Sequence, residues 1–315
     1  MEVQARRRGS ETYYYLVQSY REGSAVRKAE RYLGRKVPPN LSSIKTEFGS
    51  ELLIRRWGTD LQRVRREYES EQSRMPPSIQ SKELETFAIR FTYDSNRIEG
   101  SSLTLRETAL LLDEGITPSN RPLSDVRESL AHRRVFVDAI TKSKSLDLPT
   151  LLEWHRALFR ETKPEYAGLV RKHQVRISGS RFIPPAPFEL DRLLTEFFDW
   201  LRLAWKSFHP VVLAALVHLR LVSIHPFGDG NGRVTRIAMN YVLHRKGYPM
   251  LDISYSRRAG YYRALERSQI AADEFVFVRW FVRQYLVEHT RPLRPRREGP
   301  GSKRAGTSSR VRSRR

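Results

Sequence analysis

The apolar and polar positions of this chain fall into a succession of helical windows. They lie at about 82–98, 104–113, 124–141, 149–160, 187–204, 210–224, 233–246, 258–269 and 273–289. The window 210–224 is almost continuously apolar (Val211, Val212, Leu213, Leu216, Val217, Leu219, Leu221, Val222, Ile224), which at that length predicts a buried helix rather than a strand. An amphipathic stretch from about Leu41 to Glu71, with Leu52, Leu53, Ile54, Trp57, Leu61 and Val64, predicts another helix that ends before Pro76-Pro77. Before it, Tyr13–Arg21 and Ala25–Leu33 read as two strands joined at Glu22-Gly23-Ser24, an N-terminal β-hairpin rich in tyrosine and basic residues. Gly168–Ile177 also alternates like a strand, ends in Ser178-Gly179 and is followed by Pro184-Pro185. The pattern is mainly α, with an extension over 1–78, a helical core over 79–290 and a tail over 291–315.

The junction of the 210–224 and 233–246 windows concentrates the chemistry: His225-Pro226-Phe227-Gly228-Asp229-Gly230-Asn231-Gly232-Arg233-Val234-Thr235-Arg236. Pro226 disfavours helical geometry at His225, so the first helix stops there and presents the imidazole. The glycines permit backbone conformations closed to bulky residues and deliver free N–H groups at a helix N-terminus, an anion site. Arg233 and Arg236, one turn apart, can serve the same anion. Asp229 suits Mg²⁺, which takes oxygen ligands and shares them with substrate phosphates. His225 has the pKa range of a general base. A plain glycine loop between core helices would need neither the histidine nor the two arginines.

This run resembles the signature of Fic-domain enzymes, His-Pro-Phe-x-(Asp/Glu)-Gly-Asn-(Gly/Lys)-Arg-x-x-Arg, at every defined position. The resemblance implies a Fic-type helical bundle with a β-hairpin flap, and transfer of AMP from ATP to a Ser, Thr or Tyr hydroxyl of a protein, itself included. By position, His225 would deprotonate the hydroxyl, Asp229 would hold Mg²⁺, and Gly230, Asn231 and Gly232 would cradle the phosphates. Arg233 would hold the inner phosphates and Arg236 the γ-phosphate. Gly168–Ile177 is similar to the flap, with Val175, Arg176 and Ile177 as the edge that aligns an extended target, although an ordinary surface hairpin reads the same. Tyr261-Tyr262-Arg263-Ala264-Leu265 resembles the Tyr-Tyr-x-x-Leu helix near the adenine pocket, which brings in Tyr262. Gln269 stands where many members have Asn, so UTP, GTP or CDP-choline stays open beside ATP.

Upstream, Ser95-Asn96-Arg97-Ile98-Glu99-Gly100 closes the 82–98 window, with Gly100 as its C-terminal stop and a Thr104/Glu107 capping box opening the next helix. Ser95 and Glu99, four apart, share a face. A solvated glutamate is the bland reading, but a carboxylate there opposes the helix dipole and points to another partner. The segment resembles the Fic inhibitory motif (Ser/Thr)-x-x-x-Glu-(Gly/Asn), by which Glu99 would pair with Arg236 in the place of the γ-phosphate and repress transfer. Some members use this glutamate to remove AMP, so the direction of reaction is open.

Composition adds bounds. The chain has no cysteine, which excludes disulfides and thiolate chemistry. With no signal-like or membrane-length apolar run, this predicts a cytoplasmic protein without a membrane partner. None of the eight histidines pairs at H-E-x-x-H spacing, and His155, His209 and His218 read as core or cap residues. Formal net charge is +22; residues 291–315 hold ten Lys/Arg against one Glu, or +9 of it, with Pro, Gly and Ser, and predict a disordered tail. Tail and hairpin could serve nucleic acid, which keeps a regulatory module with a silent Fic site as an alternative, or could simply be solvated. Self-association is implied by the resemblance alone.

Overall fold

The computed structural model describes residues 1–290 apart from Gly23 and Ser143; the basic tail expected to be disordered over 291–315 lies outside the described residues. Helices dominate: α1 (Leu41–Arg74), α2 (Pro77–Ile98), α3 (Leu105–Asp113), α4 (Leu123–Thr141), α5 (Leu148–Phe159), α6 (Leu190–Ser207), α7 (Pro210–Ile224), α8 (Asn231–Arg245), α9 (Arg258–Ile270) and α10 (Glu274–His289). The fold is mainly α, as the patterning predicts. Boundaries move where proline or glycine chemistry is stronger than periodicity. α2 begins five residues earlier than expected, with Pro77 in its first turn, where a missing N–H costs nothing. The Thr104/Glu107 capping box forms, with Glu107 N–H donating to Thr104 Oγ1 at 3.2 Å and Thr104 N–H to Glu107 Oε2 at 2.8 Å.

The all-apolar α7 is the axis of the core, buried from Val211 to Leu219 on every side, and α8 packs along it. α4, α6 and α10 close around this pair. α6 shows the sequence logic plainly: Leu190, Leu194, Phe197, Leu201 and Ala204 recur at three and four and are buried, while Arg192, Glu196 and Arg202 face out. Leu53, Leu61 and Val64 of α1 join the same core.

The N-terminal hairpin proves to be a three-stranded antiparallel sheet: β1 (Glu2–Arg8), β2 (Glu11–Glu22) and β3 (Ala25–Gly34), in that order. β1 was not expected because Glu-Val-Gln-Ala-Arg-Arg-Arg is almost wholly exposed. An edge strand held by its backbone ladder, Glu2 opposite Val17 through Arg8 opposite Glu11, needs no hydrophobic face. Leu16 and Ala29 of the sheet meet Phe48 and Leu52 of α1 in a small second core.

The expected flap also differs. Residues 169–183 turn back at Ser178-Gly179, where Ser180 N–H donates to Ile177 O at 3.1 Å, but no paired strands form there. The returning arm carries Pro184, Pro185 and Pro187, which have no N–H to give to a ladder. Side chains tie the arms instead: Gln174 Nε2 donates to Pro184 O (3.0 Å) and Arg171 Nη2 to Pro185 O (2.6 Å).

Candidate functional site

α7 ends where Pro226 requires. His225 donates its N–H to Leu221 O (3.0 Å) and turns into the left-handed region at φ 53°, ψ 57°, a conformation costing about 1–3 kcal/mol that neighbours must hold in place. Arg171 does much of this. Its Nε donates to His225 O (2.8 Å), its own amide donates to Pro226 O (2.9 Å), and its Nη1 donates to His173 O (2.9 Å). Asn231 closes the loop from the other side: Phe227 N–H donates to its Oδ1 (2.9 Å) and its Nδ2 donates to Phe227 O (2.8 Å). The Asn231 side chain is thus consumed in shaping the loop, and only its backbone amide is left for an anion. Gly230 is needed twice, for φ 80° and because a Cβ there would lie 2.2 Å from the Phe159 ring. His155 stacks on Phe227 at 3.8 Å, accepts from Gly168 N–H at Nδ1 (2.8 Å), and donates from Nε2 to Asp229 O (3.0 Å). Burial pushes its pKa down to about 4, so it is neutral.

Three groups face the space before α8. His225 Nδ1 lies 3.2 Å from Val222 O, which can only accept, so the proton sits on Nδ1 and Nε2 keeps its lone pair. Burial lowers the His225 pKa below 6.5, with Arg171 adding to the effect against the Val222 carbonyl, Glu99 and Asp229. The first intrahelical bond of α8 is Val234 N–H to Gly230 O (3.1 Å), so the amides of Asn231, Gly232 and Arg233 precede it and open toward an anion.

The third group is a box of four charges. Asp229 Oδ2 takes Lys163 Nζ at 2.6 Å and its Oδ1 lies 3.4 Å from Arg233 Nη2. Glu128 pairs closely with Arg233 Nη1 and, at 3.1 Å, with Lys163. Arg233 and Lys163 both lie over the Phe159 ring, at 4.5 and 5.0 Å from its centroid. Burial works against the Asp229 carboxylate, yet Arg233 and then Lys163 hold its pKa below the usual value; Lys163 is raised despite its own burial by Asp229 and Glu128. Among the described residues no group of three or more His, Asp or Glu side chains could hold a metal by itself. One ionised, partly exposed carboxylate suits Mg²⁺ only in the shared mode in which substrate phosphates complete the shell.

Ser95 and Glu99 reach this place from the end of α2. Arg236, 1% exposed, donates from Nε to Ser95 Oγ (3.0 Å) and from Nη2 to Ser95 O (2.9 Å) and Glu99 Oε1 (2.7 Å). Glu99 rests so near α8 that a Cβ on Gly232 would meet its Oε1 at 2.1 Å. A carboxylate therefore occupies the anion position of the helix N-terminus. Behind it, Ser95 Oγ contacts His132 Nε2 (3.1 Å), whose Nδ1 meets Thr92 Oγ1 (3.0 Å); burial, then Arg236 and Arg233, holds this imidazole neutral. Gly100 has φ 101° and ends the helix as expected.

The remaining expected residues stand nearby. Tyr262, half exposed, donates its hydroxyl to Ile98 O (3.0 Å), and Gln269 Nε2 donates to Ser223 Oγ (3.0 Å), two residues before His225. Val175, Arg176 and Ile177 lie on the unpaired segment and carry no side-chain bond to the loop among the described residues. Arg171, Phe159, Glu128, Lys163 and His132 were not singled out from sequence, and His155, buried as read, was not expected to brace the loop. His209 and His218 are cap and core residues, as read: His209 Nδ1 accepts from Val211 N–H, and His218 bonds Tyr261 at 3.0 Å.

Residues 145–243 match the Fic/DOC family model. The chain is 35% identical over 196 residues to a protein adenylyltransferase Fic of Nematostella vectensis, covering 61% of this chain and 45% of that one. It is 36% identical over 184 residues to the same-named protein of Culex quinquefasciatus, covering 56% and 36%. It thus spans less than half the length of these curated relatives. Among solved structures, a Fic domain containing signaling protein from Bacteroides thetaiotaomicron is similar at 28% identity and TM-score 0.65, over 73% of this chain and 94% of that one. Fic-1 (residues 134–508) of C. elegans shares the fold at 24% identity and TM-score 0.65, over 76% and 71%.

Proposed function

We infer, from the premise that the chain carries a domain of the Fic/DOC family, that it transfers AMP from ATP to a protein hydroxyl and is held in check by Glu99. One observation carries this reading: the Glu99 carboxylate sits at the N-terminus of α8 on Arg236, in the place a terminal phosphate would need, beside a histidine whose Nε2 is free. When Glu99 swings away, the α8 amides and Arg236 are available to the triphosphate, which takes Arg233 in competition with Glu128. His225 Nε2 takes the proton of the target hydroxyl, whose oxygen bonds the α-phosphorus while the bond to the β-phosphate bridging oxygen breaks and pyrophosphate leaves. Mg²⁺ held by Asp229 and the phosphates would neutralise developing charge. Lys163 and Arg233 keep Asp229 ionised for that duty. The unpaired segment through Val175–Ile177 leaves backbone groups open to an extended target. No helix of the described residues is long and apolar enough to cross a membrane, and the cysteine-free composition suits a reducing cytoplasm.

The test compares wild type, Glu99→Gly and Glu99→Gly/His225→Ala with Mg²⁺ and ATP by intact mass. One or more AMP units on Glu99→Gly, absent from the double variant and scarce on wild type, is the expected result. Equal modification of wild type and Glu99→Gly would overturn the inhibitory role. Competition by unlabelled UTP, GTP and CDP-choline decides the nucleotide.

A further inference from the structure

The catalytic reading leaves the basic, tyrosine-rich N-terminal extension without a role. Where β2, α1 and α10 meet, they enclose a cleft of about 750 Å³, a volume that suits a small organic ligand. None of its lining residues belongs to the 225–236 run or to the inhibitory segment. Its polar wall is cationic: Arg56, Arg279 and Arg283, with Tyr20, Trp57 and Phe275 between them. Arg279 and Arg283 stand four apart on α10, hence on one face.

This charge is uncompensated on α10. Elsewhere on the sheet and α1, arginines find acids: Arg6 with Glu30, Arg31 with Glu51, Arg65 with Glu69. Among the described residues Arg279 and Arg283 form no ion pair. The acids at the start of α10 are committed elsewhere, Asp273 to the Met1 ammonium at 3.0 Å and Glu274 to Arg220 at 2.6 Å. Burial, followed by the like charges of Arg283, Arg267 and Arg56, lowers the pKa of Arg279 against a smaller opposing pull from Asp273, so the fold holds cations together against their repulsion. Arg279 lies over the Phe275 ring at 5.7 Å and Arg56 over Trp57 at 4.9 Å, so planar cations and aromatic faces already stack here. Guanidinium forks match phosphate oxygens, and aromatic faces accept bases regardless of sequence. Tyr20, Trp57 and Phe275 pack partly against the two cores, and an acidic peptide would use the charges while gaining nothing from the ring surface left open to the cleft.

We propose that this cleft binds nucleotide units, phosphate on the α10 arginines and base against the rings, as presented by single-stranded nucleic acid. The full chain is titrated into a labelled oligothymidylate and followed by fluorescence anisotropy over a salt series. Arg279→Glu/Arg283→Glu is expected to weaken binding at least about tenfold and to lower the salt slope by about 1.4, two phosphate contacts' worth on a single strand. Arg279→Gln/Arg283→Gln should give a smaller loss in the same direction, and a thermal melt matching wild type shows that either variant is folded. Binding that survives both pairs of substitutions would assign the strand to the tail or another surface and overturn the proposal. So would displacement by polyglutamate at strand-equivalent charge, which marks an acidic-peptide site. Mononucleotides that compete as well as the strand, unit for unit, would overturn the strand as the source.

Discussion

Gly232 has ordinary helical backbone angles, so its lack of a side chain is a matter of space. A Cβ would lie 2.1 Å from Glu99 Oε1 and 2.8 Å from Arg236 Nη1. Any anion that takes the place of Glu99 meets the same obstacle. Gly232→Ala in the Glu99→Gly background is therefore expected to cut modification at least about tenfold, by misplacing the phosphates. Its melting temperature should not fall, since alanine is the better helix former. Full activity in that double variant would show that phosphates do not approach the α8 amides. Glu128 poses a subtler question. With Asp229, Lys163 and Arg233 it makes a box of two acids and two bases, formally neutral, so a triphosphate must compete with a carboxylate for Arg233. Glu128→Gln leaves a net positive box, and ADP binding measured by calorimetry should tighten about three- to tenfold. Weaker binding would mean that Glu128 matters more for orienting Arg233 than for competing with phosphate.

At the scale of elements, the loop between α7 and α8 depends on Asn231. Asn231→Ala leaves the buried Phe227 N–H and carbonyl without their partners at 2.9 and 2.8 Å, at a cost of about 2–4 kcal/mol in all. A melting temperature unchanged within error would show that the loop keeps its shape without this clamp. Much of this element-level arrangement was legible in the sequence. The continuous apolar run fixed α7, Pro226 marked its end, the glycines marked the loop, and Thr104/Glu107 marked the start of α3. All of these are local signals, carried by residues within a turn of each other. What escaped was non-local or unpatterned. Glu128 lies 105 positions before Arg233, Lys163 66 before Asp229, and Arg171 54 before His225, and nothing in their own neighbourhoods announces a partner. β1 has no buried face to betray it. The flap alternates like a strand in its outgoing arm, but whether a strand pairs is decided by its partner, and that partner is proline-rich.

Across the whole molecule, the histidines set a common dependence on pH. Burial pushes His155, His209 and His289 down to about 4, His218 to about 3, and His132 well below its ordinary value. The unfolded chain protonates these rings near 6.5, while the fold resists until about pH 4 or lower. Between those limits the unfolded state binds more protons, so stability falls as pH falls through 6.5 and is level above it. Asp252 works in the opposite sense: burial and its neighbour Asp94 raise its pKa well above 3.8, so the folded carboxyl keeps a proton that the unfolded chain gives up. These five histidines less one carboxyl give an uptake of about four protons on unfolding near pH 5, to which His225 and His244, also lowered by burial, add. Melts in buffers of low and high ionisation enthalpy would measure this uptake, with the melting temperature steady from about pH 7 to 8 and dropping steadily from about 6.5 to 5. An uptake below about two would mean that the rings behind Arg236 and along α7 titrate freely in the folded state. Since His132 is the buried support of Ser95, free titration there would add a charge beside Arg236 and loosen Glu99. Acid would then release the inhibitory contact before the fold itself gives way.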